Sequence, residues 1–317
     1  MGSNFASAPC VSVSRNGTVA FETLDTPLNR LVWLNTEGQE VAAVPAASGV
    51  YFGSKLSPDD HHALMIGLDP NMTNFIASVD LDRGVVTQLT PAGVQATECG
   101  WSPDGQSFAC LEESGHENLV IRSLVDDSRR VYLASDPAFK RIDSWSTDGR
   151  FIVYERLDSA TKWDLWVLPL DGSGPARPLQ HTTANEQRAS LSPDGHWLSF
   201  SCDQSGVDEG FVVPFDAPGP RYQFTNGGVG YVGWSRDGKY LMYTEPRHPN
   251  TIMRAERQPG PTFALGPAQV FAHTPEQLSG LDVDRDSRRF LALIPAEKSR
   301  PRTISVLQNW TAALRKP

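Results

Sequence analysis

The sequence predicts an all-β fold, a seven-bladed β-propeller of four-stranded antiparallel blades occupying residues 1–317 as one domain. Three observations predict it. A short phrase recurs as Ser57-Pro58-Asp59-Asp60, Trp101-Ser102-Pro103-Asp104-Gly105, Trp145-Ser146-Thr147-Asp148-Gly149, Leu191-Ser192-Pro193-Asp194-Gly195 and Trp234-Ser235-Arg236-Asp237-Gly238. Worn copies stand at either end, Ser14-Arg15-Asn16-Gly17 and Asp284-Arg285-Asp286-Ser287. The copies begin at 14, 57, 102, 146, 192, 235 and 284, so the gaps are 43, 45, 44, 46, 43 and 49 residues. A period near 45 is what propeller repeats produce. Second, every period carries the same succession of short apolar segments. Third, the 26 Gly and 24 Pro are spread along the chain, as many tight turns between short strands require. Six blades plus an irregular cap is the structural alternative.

The unit around Trp145 gives the elements in order. Arg141-Ile142-Asp143-Ser144-Trp145 alternates as a short innermost strand. The turn follows: Pro, where present, fixes φ near −65°, Asp bonds nearby backbone, and Gly accepts positive φ without steric cost. Phe151-Ile152-Val153-Tyr154 is a β-branched and aromatic second strand. Asp164-Leu165-Trp166-Val167-Leu168 is a third, ended by Asp171-Gly172-Ser173-Gly174, and Ala176-Arg177-Pro178-Leu179 is a polar fourth. Polarity rises from second to fourth, as in a blade running from a buried interior to an exposed edge. The third strand recurs as Leu31–Leu34, Phe75–Ala77, Leu119–Ile121, Phe211–Val213, Ile252–Met253 and Ile304–Leu307. The fourth is visible in six units. The seventh runs instead into Asn309-Trp310-Thr311-Ala312-Ala313-Leu314. The Trp before a turn (101, 145, 234) is placed to wedge against the neighbouring blade, and burying one is worth roughly 5 kcal/mol as an upper bound. The repeated Asp residues read as turn formers rather than ligands or catalysts.

Composition excludes several classes. A hydrophobic content of 39% supports a real core, and a net charge of −9 with scattered Lys and Arg argues against nucleic acid. No apolar run approaches the ~20 residues needed to cross a bilayer, so no membrane insertion of this segment is expected. The start has no charged n-region or apolar h-region. The expected location is periplasmic or extracytoplasmic if an upstream export or membrane segment was removed, and otherwise cytoplasmic. Cys10, Cys99, Cys110 and Cys202 show no metal or redox spacing. Packing is expected for Cys110. A Cys99–Cys110 bridge across one hairpin is the alternative, and would imply an oxidising compartment.

Trp101-Ser102-Pro103-Asp104-Gly105, the run Asp164-Leu165-Trp166-Val167-Leu168-Pro169-Leu170-Asp171-Gly172 and the tail Leu307-Gln308-Asn309-Trp310 resemble TolB-like, WD-repeat-like bacterial propellers. More narrowly, they are similar to propellers found carboxy-terminal to bacterial serine/threonine kinases and some winged-helix regulators. The resemblance implies the propeller fold over nearly the whole chain. Kinase activity does not carry over, because neither a glycine loop nor a catalytic-loop Asp is present. In the resembling propellers an upstream strand often completes the last blade, so the resemblance leaves ring closure open.

Catalytic constellations are sparse. Asp282-Val283-Asp284-Arg285-Asp286 has the alternating acids of a calcium loop, but an EF-hand needs Gly and Glu where Ser287 and Leu293 stand. It reads as the seventh turn, degraded. The seven His include no pair spaced for zinc. There is no Gly-x-Ser-x-Gly elbow. Binding residues are expected instead on the connectors from each fourth strand to the next innermost strand, which rim the channel of a propeller. The candidates are Tyr51, Glu98, Arg141, Glu186, Arg188 and Tyr231. The expected function is a non-catalytic binding, sensory or scaffold module without a cofactor. It would be a monomer presenting the channel mouth to a protein, peptide or small ligand. The alternative is a metal-assisted lyase or hydrolase in the channel, with His181 and His273, which end fourth strands, as the first metal ligands to test.

Overall fold

A computed structural model describes residues 11–14, 18–22, 28–134, 136–260, 262–276, 278–296 and 304–308. Six four-stranded antiparallel sheets stand around a channel, and a three-stranded sheet accompanies them. The innermost strands are Tyr51–Leu56 in blade 1, Ala96–Trp101 in blade 2, Lys140–Trp145 in blade 3, Glu186–Leu191 in blade 4 and Val232–Trp234 in blade 5. Each continues outward through the next three strands in sequence. Blade 6 closes the ring with both halves of the chain. Gly280–Val283 and Phe290–Pro295 form its inner half, Asn29–Leu34 and Glu40–Gly49 its outer half. Gly280–Val283 lies against Tyr51–Leu56 of blade 1. Met242, Ile252 and Ala272 of blade 5 share one core with Val32, Phe290 and Ala292 of blade 6.

The seven-blade expectation is therefore corrected to six. The repeats at 57, 102, 146, 192, 235 and 284 each supply a blade's innermost hairpin, and the copy at 14 does not join the ring. Val11–Val13, Thr18–Glu22 and Ile304–Gln308 pair with one another in the separate sheet. The reason lies in Phe290–Leu293, four consecutive side chains that are fully buried and need apolar neighbours on both sides. Asn29–Leu34 offers Leu31, Val32, Trp33 and Leu34, all buried in the seam. Ile304–Gln308 offers a run broken by Ser305 and ended by Gln308. The more apolar strand takes the place between them. Cys10, Gln277 and the tail Asn309–Leu314 lie outside the described residues.

The recurring turn is explained by its hydrogen bonds. In five copies the Ser Oγ donates to the Asp Oδ1 at 2.5–2.7 Å and accepts the backbone N–H five residues on at 2.9 Å. The same Asp oxygen accepts the N–H two residues after it, for example Gln106 at 3.0 Å. The degraded copy keeps the turn, with Asp284 Oδ1 accepting from Arg288 at 2.8 Å and Arg289 at 3.1 Å. Adjacent turns also touch. Pro58 faces Gly105, Pro103 faces Gly149 and Pro193 faces Gly238, each in a space that a side chain at the glycine would share. These glycines hold φ of 70–76°, which other residues adopt at a cost.

Asp60 occupies that position in blade 1 at φ 65°. Its carboxylate receives the Arg285 backbone N–H at 2.9 Å and pairs with the Arg236 guanidinium at 3.1 Å. It thereby ties the turns of blades 5, 6 and 1 together where the ring closes. Asp60→Asn keeps the backbone preference and an acceptor but removes the charge. We expect it to lower stability by about 1–2 kcal/mol, the usual worth of a charge-assisted bond, measured as a urea midpoint shift at unchanged slope.

Candidate functional site

Six parallel innermost strands put one row of side chains into the lumen. Counting back two residues from each turn gives Lys55, Gly100, Ser144, Ser190, Gly233 and Asp282. Lys55 and Asp282 are the charged members. The Asp282 carboxylate accepts the N–H of Leu56 in blade 1 and of Val283, both at 2.8 Å. Gly233 leaves room for the ring of Tyr231, whose hydroxyl lies 2.6 Å from where a Cβ would stand. Tyr231 is 50% exposed, with Gly233, Lys55 and Asp282 close to its hydroxyl. Burial raises its pKa. Lys55 is held the other way. Burial opposes its charge, yet Asp282, Tyr231, Cys99 and Glu98 more than offset that, and its pKa lies above the ordinary value.

Further toward the connectors the strands bulge. Pairing is irregular between Phe52 and Lys55, between Cys110 and Leu111 opposite Glu98, between Ile142 and Ser144, and between Gln187 and Ser190. Gly53, Glu98 and Arg188 take positive φ there, 60°, 50° and 58°. A bulge changes the phase of a strand. It brings Glu98 and Arg188 to the lumen and turns the residue six before each turn serine into the blade. Ala96, Lys140 and Glu186 are all buried at that position, and Tyr51 is half-buried.

This separates the six sequence candidates. Glu98, Arg141, Arg188 and Tyr231 come together around the lumen. Arg141 Nη1 donates to Glu155 Oε2 at 3.2 Å and its guanidinium lies 4.3 Å over the Trp163 ring. Arg188 Nη1 donates to Ser201 Oγ and Asp208 Oδ2, both at 3.1 Å, while its backbone N–H bonds Glu155 Oε1 at 2.7 Å. The buried Glu155 thus joins blades 3 and 4 beneath two arginines. The other two candidates do not line the mouth. Tyr51 packs on the core between blades 6 and 1. Glu186 is fully buried, accepting from Thr182 Oγ1 at 2.5 Å. Burial raises its pKa.

Sequence reasoning missed Lys55, Asp143, Glu155 and Asp282. Aligning the units on the turn serine would have found the first and last, because the equivalent positions elsewhere are small and uncharged. Asp143 is the bulge residue of blade 3. Its Oδ2 is sealed from solvent and has no hydrogen-bond partner. Burial, then Glu155, raises its pKa well above the ordinary carboxylate value. Burial also raises Glu98, against the pull of Lys55 and Arg141.

The histidines of the metal alternative stand apart. His181 Nε2 lies 3.5 Å from Asp164 Oδ2 in blade 3, and His273 Nδ1 lies 3.4 Å from Thr251 Oγ1 in blade 5. Among the described residues no three His, Cys, Asp or Glu form a metal-binding group. Cys99 and Cys110 face each other in register, both buried and both free thiols. Burial pushes Cys99 up to about 12, so packing accounts for it. No helix among the described residues is long and apolar enough to cross a membrane.

No protein-family model matches the chain. Solved structures with this fold include a putative TolB from Agrobacterium tumefaciens, at 16% identity and TM-score 0.63, covering 86% of this chain and 99% of that one. TolB from Acinetobacter baumannii aligns at 12% identity and TM-score 0.57, over 95% and 80% of the two chains. An oligogalacturonate lyase from Vibrio parahaemolyticus aligns at 13% identity and TM-score 0.54, over 88% and 75%. At such identities the likeness establishes the β-propeller fold.

Proposed function

We propose that the chain is a non-catalytic binding module whose ligand-facing surface is the connector end of the central channel. The observation that carries this reading is that Glu98, Arg141 and Arg188 stand on the innermost strands of three neighbouring blades, and Tyr231 just before that of the fourth, with Glu98 within reach of the Arg141 charge and Arg141 and Arg188 both bonded to Glu155. Each of the two guanidinium groups is anchored on one carboxylate, Arg141 on Glu155 and Arg188 on Asp208, and a guanidinium has five N–H donors to offer. Glu98, Asp143 and Lys55 lie beyond them. Such alternation of charge suits an extended peptide segment, which presents carbonyl acceptors and side chains of both signs. Attachment to a signalling protein, as in the propellers the sequence resembles, would make the module a sensor.

Peptides selected from a random library against the propeller supply the test. Arg141→Ala, Arg188→Ala and Glu98→Gln should each weaken the selected peptides about tenfold or more, the worth of one charge-assisted hydrogen bond. Peptides that bind all three variants as tightly as the parent would overturn the channel-mouth assignment. The lyase structures that share the fold motivate the competing reading, a metal-assisted reaction in the channel. That reading predicts a thermal shift with manganese that His181→Ala abolishes.

A further inference from the structure

The turn Asp residues differ from blade to blade in a way the fold does not require. Each uses Oδ1 for the turn itself, leaving Oδ2 pointing outward. In blade 3, Arg150 Nε donates to Asp148 Oδ2 at 2.7 Å, with its guanidinium 5.1 Å over Phe151. In blade 4, Arg257 Nη1 donates to Asp194 Oδ2 at 2.5 Å, 5.8 Å over Trp197. In blade 6, Arg289 Nε donates to Asp284 Oδ2 at 3.3 Å, 4.3 Å over Trp33. In blade 5, Lys239 lies 5.2 Å over Tyr240, but its ammonium pairs with Glu256 Oε1 at 3.5 Å rather than with Asp237. Blades 3, 4 and 6 thus place an arginine on an aromatic ring and against a turn carboxylate, Asp284 of blade 6 standing where the other turns have serine.

Blades 1 and 2, like blade 5, have the carboxylate without a paired cation, and only between blades 1 and 2 do two such carboxylates edge one cleft. The residues matching Arg150 are His61, which turns to Asp82 at 2.9 Å, and the uncharged Gln106. No basic side chain among the described residues pairs with Asp59 or Asp104. Between these two turns lies a cleft of about 490 Å³, floored by Trp101, Leu89 and Leu124 and edged by Asp59, Asp80 and Asp104. The other ionisable groups facing it are His62 and Arg83. Arg83 is four-fifths exposed and stands 3.8 Å from Asp80.

We propose that this cleft, on the turn face of the ring, binds the arginine side chain of a peptide partner. It would take the place that Arg257, reaching across from blade 5, fills beside the blade 4 turn. The guanidinium would bridge the Oδ2 atoms of Asp59 and Asp104, and its aliphatic stem would lie on Trp101 and Leu89. A planar fork that both stacks and bonds two carboxylates suits this geometry better than an ammonium. The site is separate from the channel mouth and does not depend on its assignment.

The test is titration of ¹⁵N-labelled protein with N-acetyl-argininamide, following the Trp101 indole N–H and the Ser102–Gln106 amides. A saturable shift is expected, absent with the isosteric neutral citrulline derivative. Asp59→Asn and Asp104→Asn keep the Oδ1 acceptor of the turn and should each weaken binding at least fivefold, while Asp148→Asn should not. Gln106→Arg, which installs in blade 2 the residue that blade 3 carries, should abolish the shift by filling the cleft from within. Equal shifts with the citrulline compound or with guanidinium ion alone would overturn the proposal. So would binding unchanged in the Asp59→Asn/Asp104→Asn double variant or in Gln106→Arg, or no saturable shift at all.

Discussion

Trp234→Ala should destabilise the protein by about 3–5 kcal/mol, the range for removing a large aromatic from a packed interior. Trp234 is 8% exposed and belongs to a core with Val212 of blade 4 and Leu241, Tyr243 and Phe263 of blade 5. Its ring meets Phe263 edge-on at 6.1 Å. Its indole N–H crosses to Ser190 O on the innermost strand of blade 4 at 3.1 Å. The truncation therefore opens a cavity and cuts a blade-to-blade bond together. Trp234→Phe separates the two. It keeps most of the burial, and because Ser190 O also accepts from Ser199 Oγ at 3.2 Å, it should cost only about 1 kcal/mol. Trp145→Ala should cost less than Trp234→Ala. Trp145 is only part-buried, and its N–H returns to Gly149 O of its own turn at 3.3 Å. Urea unfolding of the three variants at one pH gives the ranking; equal losses for Trp234 and Trp145 would contradict the stapling argument.

The same residues measure how far the sequence could be read. The turn phrase was legible because its chemistry is local: a serine, an aspartate and a positive-φ residue within five positions make the same bonds in five blades, and in the sixth Asp284 replaces the serine as the acceptor. The Trp before the turn was legible as a wedge, and Trp101, bonded to Lys55 O of blade 1 at 2.9 Å, and Trp234 are that. The blade count was not legible. Leu31–Leu34 and Ile304–Leu307 are both short apolar strands, and which of them pairs with Phe290–Pro295 depends on a contact across nearly the whole chain. Local pattern does not encode that choice; relative burial decides it. The site was half legible. Position on the connectors named Glu98, Arg141, Arg188 and Tyr231, but equally Tyr51 and Glu186, which pack into the blades. The bulges that bring Glu98 inward and hide Glu186 leave no mark in a hydrophobic pattern, since Glu98 and Arg188 adopt positive φ without being glycine.

Asp143→Asn should stabilise the protein, and by an amount that grows with pH. Asp143 sits at the bulge of blade 3 with Oδ2 sealed and unpartnered. Burial first, and then the neighbouring Glu155, lift its pKa well above the ordinary aspartate value; Glu98 adds to this, while a bond from Ala189 N–H and the charge on Lys55 oppose it. Between the ordinary value and the raised one the folded state holds a proton that the unfolded chain has lost. Folding stability therefore falls as pH rises across that window. Below the ordinary aspartate value, near pH 4, wild type and variant should be equally stable, because Asn stands in for the neutral carboxyl. Above it the variant should gain about 1–3 kcal/mol, the cost of leaving a buried polar group unsatisfied. Urea midpoints at several pH values, with all other groups common to both proteins, isolate this one titration. A constant difference across the range would mean that Asp143 titrates alike in the folded and unfolded chain, and so is not held protonated by the fold. A buried carboxyl that weakens its own fold at neutral pH is the kind of group retained for a function. The variant that is more stable should then be the poorer binder of channel-mouth peptides, and the two effects should appear over the same pH range.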